Sequence, residues 1–143
     1  MKIPQLSVFI ENKVGRLAEI ANTLGEIGAN IRAMSLADTS EFGILRLVVD
    51  KPEATRTVLK DYGYAVRQAD VVAVAIPDRP GELGRLLDTL QRDGLNVEYM
   101  YAFVQKHSES AVMILRIEDL DAAMAAMTAA GYTLLTTEQI YAL

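Results

Sequence analysis

Ile76-Pro77-Asp78-Arg79-Pro80-Gly81-Glu82-Leu83 begins the stretch, running on to Met100, whose reading decides the fold. A strand ends at Ile76, a tight loop spans Pro77 to Gly81, and a helix is predicted from Glu82 to about Arg92. Leu83, Leu86, Leu87 and Leu90 recur at helical spacing and give that helix one apolar face. Pro80 presets a backbone angle suited to a helix start. Gly81 has no β-carbon, so its N–H can approach a ligand closely. Glu82 suits the positive end of the helix dipole. Gly94 stops the helix and Asn96-Val97 open the next strand.

Working outward, the same punctuation is found earlier in the chain. Gly15 matches Gly81 at an offset of 66 (81 − 15 = 66), and this offset also pairs Leu17 with Leu83, Leu24 with Leu90, Gly28 with Gly94 and Asn30 with Asn96. Farther on the offset is 68 (131 − 63 = 68): Ala54 with Ala122, and Gly63-Tyr64 with Gly131-Tyr132. So many coincidences at turn and helix-stop positions mark an internal duplication. The two copies divide the chain at residues 1–68 and 69–143.

Copy one supplies the element order. Leu6 to Ile10 reads as a strand, Asn12-Lys13-Val14-Gly15 as a turn, and Leu17, Ile20, Ala21, Leu24 and Ile27 as a helical stripe ended by Gly28. A strand from Ile31, a turn at Asp38-Thr39-Ser40-Glu41, and a strand from Gly43 to Val49 follow. Asp50 and Glu53 have capping-box spacing before a second helix, which Gly63 ends, and a short strand follows Tyr64. Each copy therefore reads strand-helix-strand-strand-helix-strand. The expected fold is α+β: two ferredoxin-like βαββαβ modules, each an antiparallel sheet with helices on one face. Val71 to Ile76 and Val112 to Ile117 are almost unbroken apolar runs, whereas strands with one wet face should alternate. The second sheet face is thus expected to be covered too, by the other copy or by another chain, and at least a homodimer is expected. The tail Ile140-Tyr141-Ala142-Leu143 aligns with Val72 to Ala75 and is expected to add a closing strand.

Composition bounds the function. The 143 residues are 51% apolar, enough to bury a core, and contain no cysteine, which rules out disulfides and thiolate metal sites. That composition fits a reducing cytoplasm. No apolar run nears membrane-spanning length and no signal-peptide pattern opens the chain, so no membrane association is expected. The net charge of −5 carries no basic block, so nucleic acid is not an expected partner.

Catalytic constellations are missing. His107 is the single histidine and lies in a polar stretch, so no metal site is expected. Phosphate-binding and nucleophile motifs are absent, and no cofactor is expected. Gly81-Glu82-Leu83-Gly84 resembles a nucleotide-clamping GxxG loop only superficially, since it holds a Glu in an acidic chain. Glu118, Asp119 and Asp121 cluster at a helix start, where carboxylates favour the dipole. Met113, Met124 and Met127 occupy core positions, and Tyr99, Tyr101 and Phe103 alternate on one strand face. What remains is two strand-loop-helix corners. Each has a polar residue three before its glycine (Asn12, Asp78) and an Asn fifteen after it (Asn30, Asn96). Asn12 and Asp78 can cap helices, and Asn30 and Asn96 can serve the turns that follow. The same geometry also suits a free α-amino acid: helix N–H groups would hold its carboxylate and side-chain oxygens its ammonium.

Asn12-Lys13-Val14-Gly15-Arg16-Leu17, with Gly28-Ala29-Asn30-Ile31 downstream, resembles the ACT domain signature. Asp78-Arg79-Pro80-Gly81-Glu82-Leu83, with Gly94-Leu95-Asn96-Val97, resembles it again and keeps the Pro that Val14 replaces. The resemblance spans essentially the whole chain as a tandem pair. It implies a non-enzymatic regulatory module that binds an amino acid between two side-by-side modules. The implied ligand residues are Asn12, Val14, Gly15, Arg16, Leu17, Asn30 and Ile31 in copy one, and Asp78, Pro80, Gly81, Glu82, Leu83, Asn96 and Val97 in copy two. Serine-sensing members have ligand-contacting asparagines at the positions of Asn12 and Asn30, and a His where this chain has Ile10. Copy one also resembles the start of acetolactate synthase regulatory subunits. That similarity implies a second possibility, a subunit regulating a branched-chain amino-acid enzyme. A module that only assembles, with empty pockets, is a third.

Overall fold

The computed structural model describes residues 1–38, 41–104 and 109–143. Part of the turn expected at Thr39-Ser40 and the loop carrying His107 lie outside these residues. In chain order the elements are β1 (Ile3–Glu11), α1 (Arg16–Glu26), β2 (Ile31–Asp38), β3 (Phe42–Val49), α2 (Pro52–Asp61), β4 (Ala65–Pro77), α3 (Glu82–Arg92), β5 (Val97–Val104), β6 (Ser110–Ile117), α4 (Leu120–Ala129), β7 (Thr133–Leu134) and α5 (Thr137–Tyr141).

The chain divides into two compact units, Pro4–Ala69 and Asp70–Leu143, the latter joined by Met1–Ile3. In the first, β3 pairs antiparallel with both β1 and β2, and β4 is next to β1 in the strand order. In the second, β6 pairs antiparallel with β4 and β5, and β7 pairs with the other side of β4. Both units are βαββαβ modules, as the duplicated pattern predicts.

Alternation along the strands builds each core. On β6, Ala111, Met113, Leu115 and Ile117 point toward Leu86 and Leu90 of α3 and Ala123 and Met127 of α4. In the first unit, Leu6, Val8 and Ile10 of β1 pack with Ile20 and Leu24 of α1 and Leu59 of α2. Each such side chain removed from water contributes about 1.5–3 kcal/mol. The intervening residues Val112 and Ile114 are also buried, both at 1% exposure, as are Val71 and Ala73 of β4 at 0%. Tyr99, Tyr101 and Phe103 pair across the ladder with Arg116, Ile114 and Val112, on the face away from the helices, and are half-buried. Arg116 interrupts the β6 run because its guanidinium donates to the Asp70 carbonyl at 2.8 Å and faces the Glu98 carboxylate at 3.7 Å.

Three local expectations change. The short strand after Tyr64 and the strand at Val71 are one 13-residue strand, β4, because no Gly, Pro or turn cluster interrupts Ala65 to Ile76. The tail is helical: the Thr136 hydroxyl accepts the Gln139 N–H at 3.2 Å, and the Gln139 side chain accepts the Thr136 N–H at 2.8 Å. This capping box, T-x-x-Q, outweighs the alignment with a strand and lets Ile140 bury completely. Finally, Asp50 does not cap α2. Lys51 is the cap residue, with no side-chain bond, and the Asp50 carboxylate accepts the Asn30 N–H at 2.8 Å instead.

Candidate ligand-binding corners

Both units turn the same corner from first strand to first helix. The Asn12 N–H donates to the Glu41 carbonyl at 3.0 Å, and the Asp78 N–H to the Glu109 carbonyl at 2.8 Å. The Lys13 N–H closes a tight turn on the Glu11 carbonyl at 2.8 Å, and the Arg79 N–H does so on the Pro77 carbonyl at 2.9 Å. Gly15 (φ 89°, ψ −14°) and Gly81 (φ 90°, ψ −13°) are the helix cap residues, in the left-handed conformation. A β-carbon at either glycine would meet nothing within 4 Å. The backbone twist is therefore sufficient reason for glycine here, independent of a ligand's approach. Neither cap carries a side-chain hydrogen bond, so Asn12 and Asp78 do not cap α1 and α3.

Side-chain chemistry separates the two corners. At the first, Asn12 and Arg16 line a depression of about 180 Å³ together with Asp38, Leu36 and Gly43, and Ile10 forms part of its wall. Pockets for drug-sized ligands run to about 300–1,000 Å³, so this one is smaller than those. Glu11 and Lys13, also on its rim, pair at 2.7 Å. The Lys13 hydrogen bond and charge hold the Glu11 carboxyl below its ordinary value. Behind the rim, the Tyr64 hydroxyl donates to Glu19 Oε1 at 3.0 Å, and Glu19 Oε2 faces Arg16 Nη1 at 4.0 Å. Burial, then the hydrogen bond to Glu19, raises the Tyr64 hydroxyl above its ordinary value. At the second corner the position of Arg16 is taken by Glu82, largely covered and paired with Arg79 at 3.3 Å. Its depression is lined by Asp78, Arg79, Glu109 and Ser110.

Within a module the corner and the downstream Asn are not brought together. Asn30 follows the end of α1, an 11-residue helix, which places it roughly 16 Å from the corner. Asn96 lines a separate depression with Gly94, Glu118 and Asp119, and Asp119 caps α4 by accepting the Ala122 N–H at 3.1 Å. Asp121 of the same acidic cluster pairs with Lys2 at 3.2 Å. Val14 and Pro80 are exposed at the loop tips. Ile31, Leu83 and Val97 pack against the cores. Leu17 is partly exposed on the rim. Sequence reasoning missed Asp38 and Gly43, which strand register places opposite each other. A glycine inside a strand was the available signal: a β-carbon at Gly43 would stand 3.4 Å from both Ile10 and Leu36. No cluster of three potential metal ligands occurs among the described residues, and none of their helices is long and apolar enough to cross a membrane.

The chain is 35% identical to protein BT0572 of Bacteroides thetaiotaomicron, whose crystal structure superposes with a TM-score of 0.94 over 100% of this chain and 98% of that one. The regulatory subunit of aspartate kinase from Thermus thermophilus, in its ligand-free form, shares the fold at 20% identity and a TM-score of 0.64, over 90% of this chain and 92% of that one. The corresponding Thermus flavus subunit is 18% identical with a TM-score of 0.60, over 89% and 91%. No curated protein matches. The family described as ACT domain pair matches residues 1–141. With the duplicated modules and their matched glycine corners, this places the chain in the ACT domain pair family.

Proposed function

We propose that the chain is a non-catalytic regulatory protein that binds a small free α-amino acid, with the first corner as the main point of attachment. The observation that carries this reading is the small depression at the start of α1, which Arg16 and Asp38 both line. A zwitterion needs both signs within a few ångströms, and the uncapped helix end adds N–H donors for its carboxylate. The family is of a regulatory type, and two proteins sharing its fold are regulatory subunits of a kinase. Output would pass through a partner, either a metabolic enzyme or a second copy of the chain.

Thermal unfolding in the presence of each standard amino acid at millimolar concentration tests the reading. A ligand at a hundred times its Kd stabilises by about 2.7 kcal/mol, which raises Tm by roughly 5–10 °C for a chain of this size. No shift with any amino acid would leave the pure assembly module as the better account.

A further inference from the structure

The first unit has a sheet edge that its duplicate lacks. The closing strand of copy two, β7, is two residues long and gives way to α5. The matching strand of copy one is the start of β4, a strand of 13 residues. Pairing of β6 and β7 with β4 begins at Val72 and Val74. Among the described residues, 65–69 therefore have β1 beside them in the strand order and no strand on the other side. Ala65, Arg67 and Gln68 are exposed. Such an edge presents unpaired N–H and C=O groups and is a template for an added strand.

A depression of about 660 Å³ lies along this edge, lined by the consecutive residues Gly63 to Arg67 together with Phe9 and Lys60. Much of its wall is thus one strip of main chain. Val66 points into the core, so Ala65 and Arg67 share the opposite sheet face. There the Arg67 guanidinium stands 5.8 Å from the centre of the Phe9 ring, and Phe9 is 39% exposed. Lys60 comes from the last turn of α2. No carboxylate lines the depression. Among the described residues, neither Lys60 nor Arg67 takes part in an ion pair. The repeat offsets place Ala75, Thr128 and Leu135 at the counterparts of Phe9, Lys60 and Arg67. Copy two therefore has neither the ring nor the two cations.

These charges decide the occupant. Pairing of this edge with the same edge of a second copy would bring like sets of Lys60 and Arg67 together across a two-fold axis, and facing like charges destabilise a ladder. The complementary chemistry is an acidic segment of a different protein. We propose that residues 65–69 of β4 dock an extended, acidic stretch of a partner protein as an added strand. Main-chain bonds to the edge give the attachment, partner carboxylates meet Lys60 and Arg67, and an apolar partner side chain lies over the small Ala65 against Phe9. This surface does not depend on whether the chain binds an amino acid.

The probe is a blocked heptapeptide with glutamate at the odd positions, valine at the second and sixth, and phenylalanine at the centre. It is titrated into the full chain labelled with nitrogen-15, whose amide resonances also show that each variant is folded. The peptide is expected to move the resonances of Phe9 and of residues 63–69. Lys60→Gln and Arg67→Gln should each weaken binding by about two- to fivefold, as for loss of an exposed ion pair, and Arg92→Gln, on α3, should not. Arg67→Glu should lose the glutamate peptide and gain affinity for the same peptide with lysine in place of glutamate. Methylating alternate peptide nitrogens on the edge-facing side should abolish binding, since those N–H groups form the ladder. Equal binding of the methylated peptide, or of the lysine peptide by the unaltered chain, would overturn the proposal. So would shifts that follow β2 or β5 instead of β4, or no shift at millimolar peptide.

Discussion

Two alanine substitutions three residues apart in the second module should change stability in opposite directions. Gly84 lies in the first turn of α3 with ordinary helical backbone, and a β-carbon there meets nothing within 4 Å. Replacing it removes the entropic penalty of a helical glycine without a clash, a gain of about 0.5–1 kcal/mol. Gly81 is equally uncrowded but has φ 90°. An L-residue held in the left-handed region costs about 1–2 kcal/mol, so Gly81→Ala loses roughly that amount. Unfolding entropy of about 2.1 cal/mol/K per residue over 143 residues comes to roughly 0.3 kcal/mol/K. Each kcal/mol therefore moves Tm by about 3 °C, and the two variants should differ by roughly 5–10 °C. Urea titration at constant m-value would give the free-energy difference directly. If Gly81→Ala is neutral or stabilising, the left-handed corner is not obligatory, and the geometric match between the modules loses its physical basis.

Gly15→Ala should repeat the loss seen at Gly81, since its φ is 89° and its surroundings are equally open; urea unfolding of that variant would show whether the duplicated corner behaves alike in both modules. The raised Tyr64 value means that the folded chain holds this proton more tightly than the unfolded one. Its contribution is therefore present below the ordinary tyrosine value of about 10 and lost as pH rises through the folded value, and Tyr64→Phe should flatten the decline in stability above about pH 10; an identical decline in both proteins would remove Tyr64 as its source. Glu11 should titrate below its ordinary value by carboxyl NMR, and Lys13→Ala should move it back up, since Lys13 is the leading cause of the shift. Thr136→Ala removes the cap of α5 and should cost about 1 kcal/mol, measurable as faster amide exchange from Thr137 to Tyr141; unchanged exchange would mean that Ile140 burial alone holds the helix.

The sequence by itself determined the repeat and the backbone at its turns. Left-handed turns select glycine through local sterics, so Gly15 and Gly81, Gly28 and Gly94, and Gly63 and Gly131 could be matched by position alone, and their φ values agree within a few degrees (89° and 90°, 70° and 68°, 92° and 89°). Helix α3 was legible for the same reason: apolar periodicity and punctuation are properties of a short segment. Tertiary structure decided what depends on which segments meet. The Asp50 carboxylate could serve its own helix or an N–H twenty residues earlier, and only the meeting of the β2 start with the β3 end chose the latter. The Gly- and Pro-free run from Ala65 to Ile76 permitted one long strand, and pairing with β1 and β6, its neighbours in the strand order, settled it as β4. The corner glycines were visible in the sequence, but Asp38 and Gly43 were not. They reach the first corner through the register of β2 on β3 and of β3 on β1, and register is set by which faces are buried across the whole sheet.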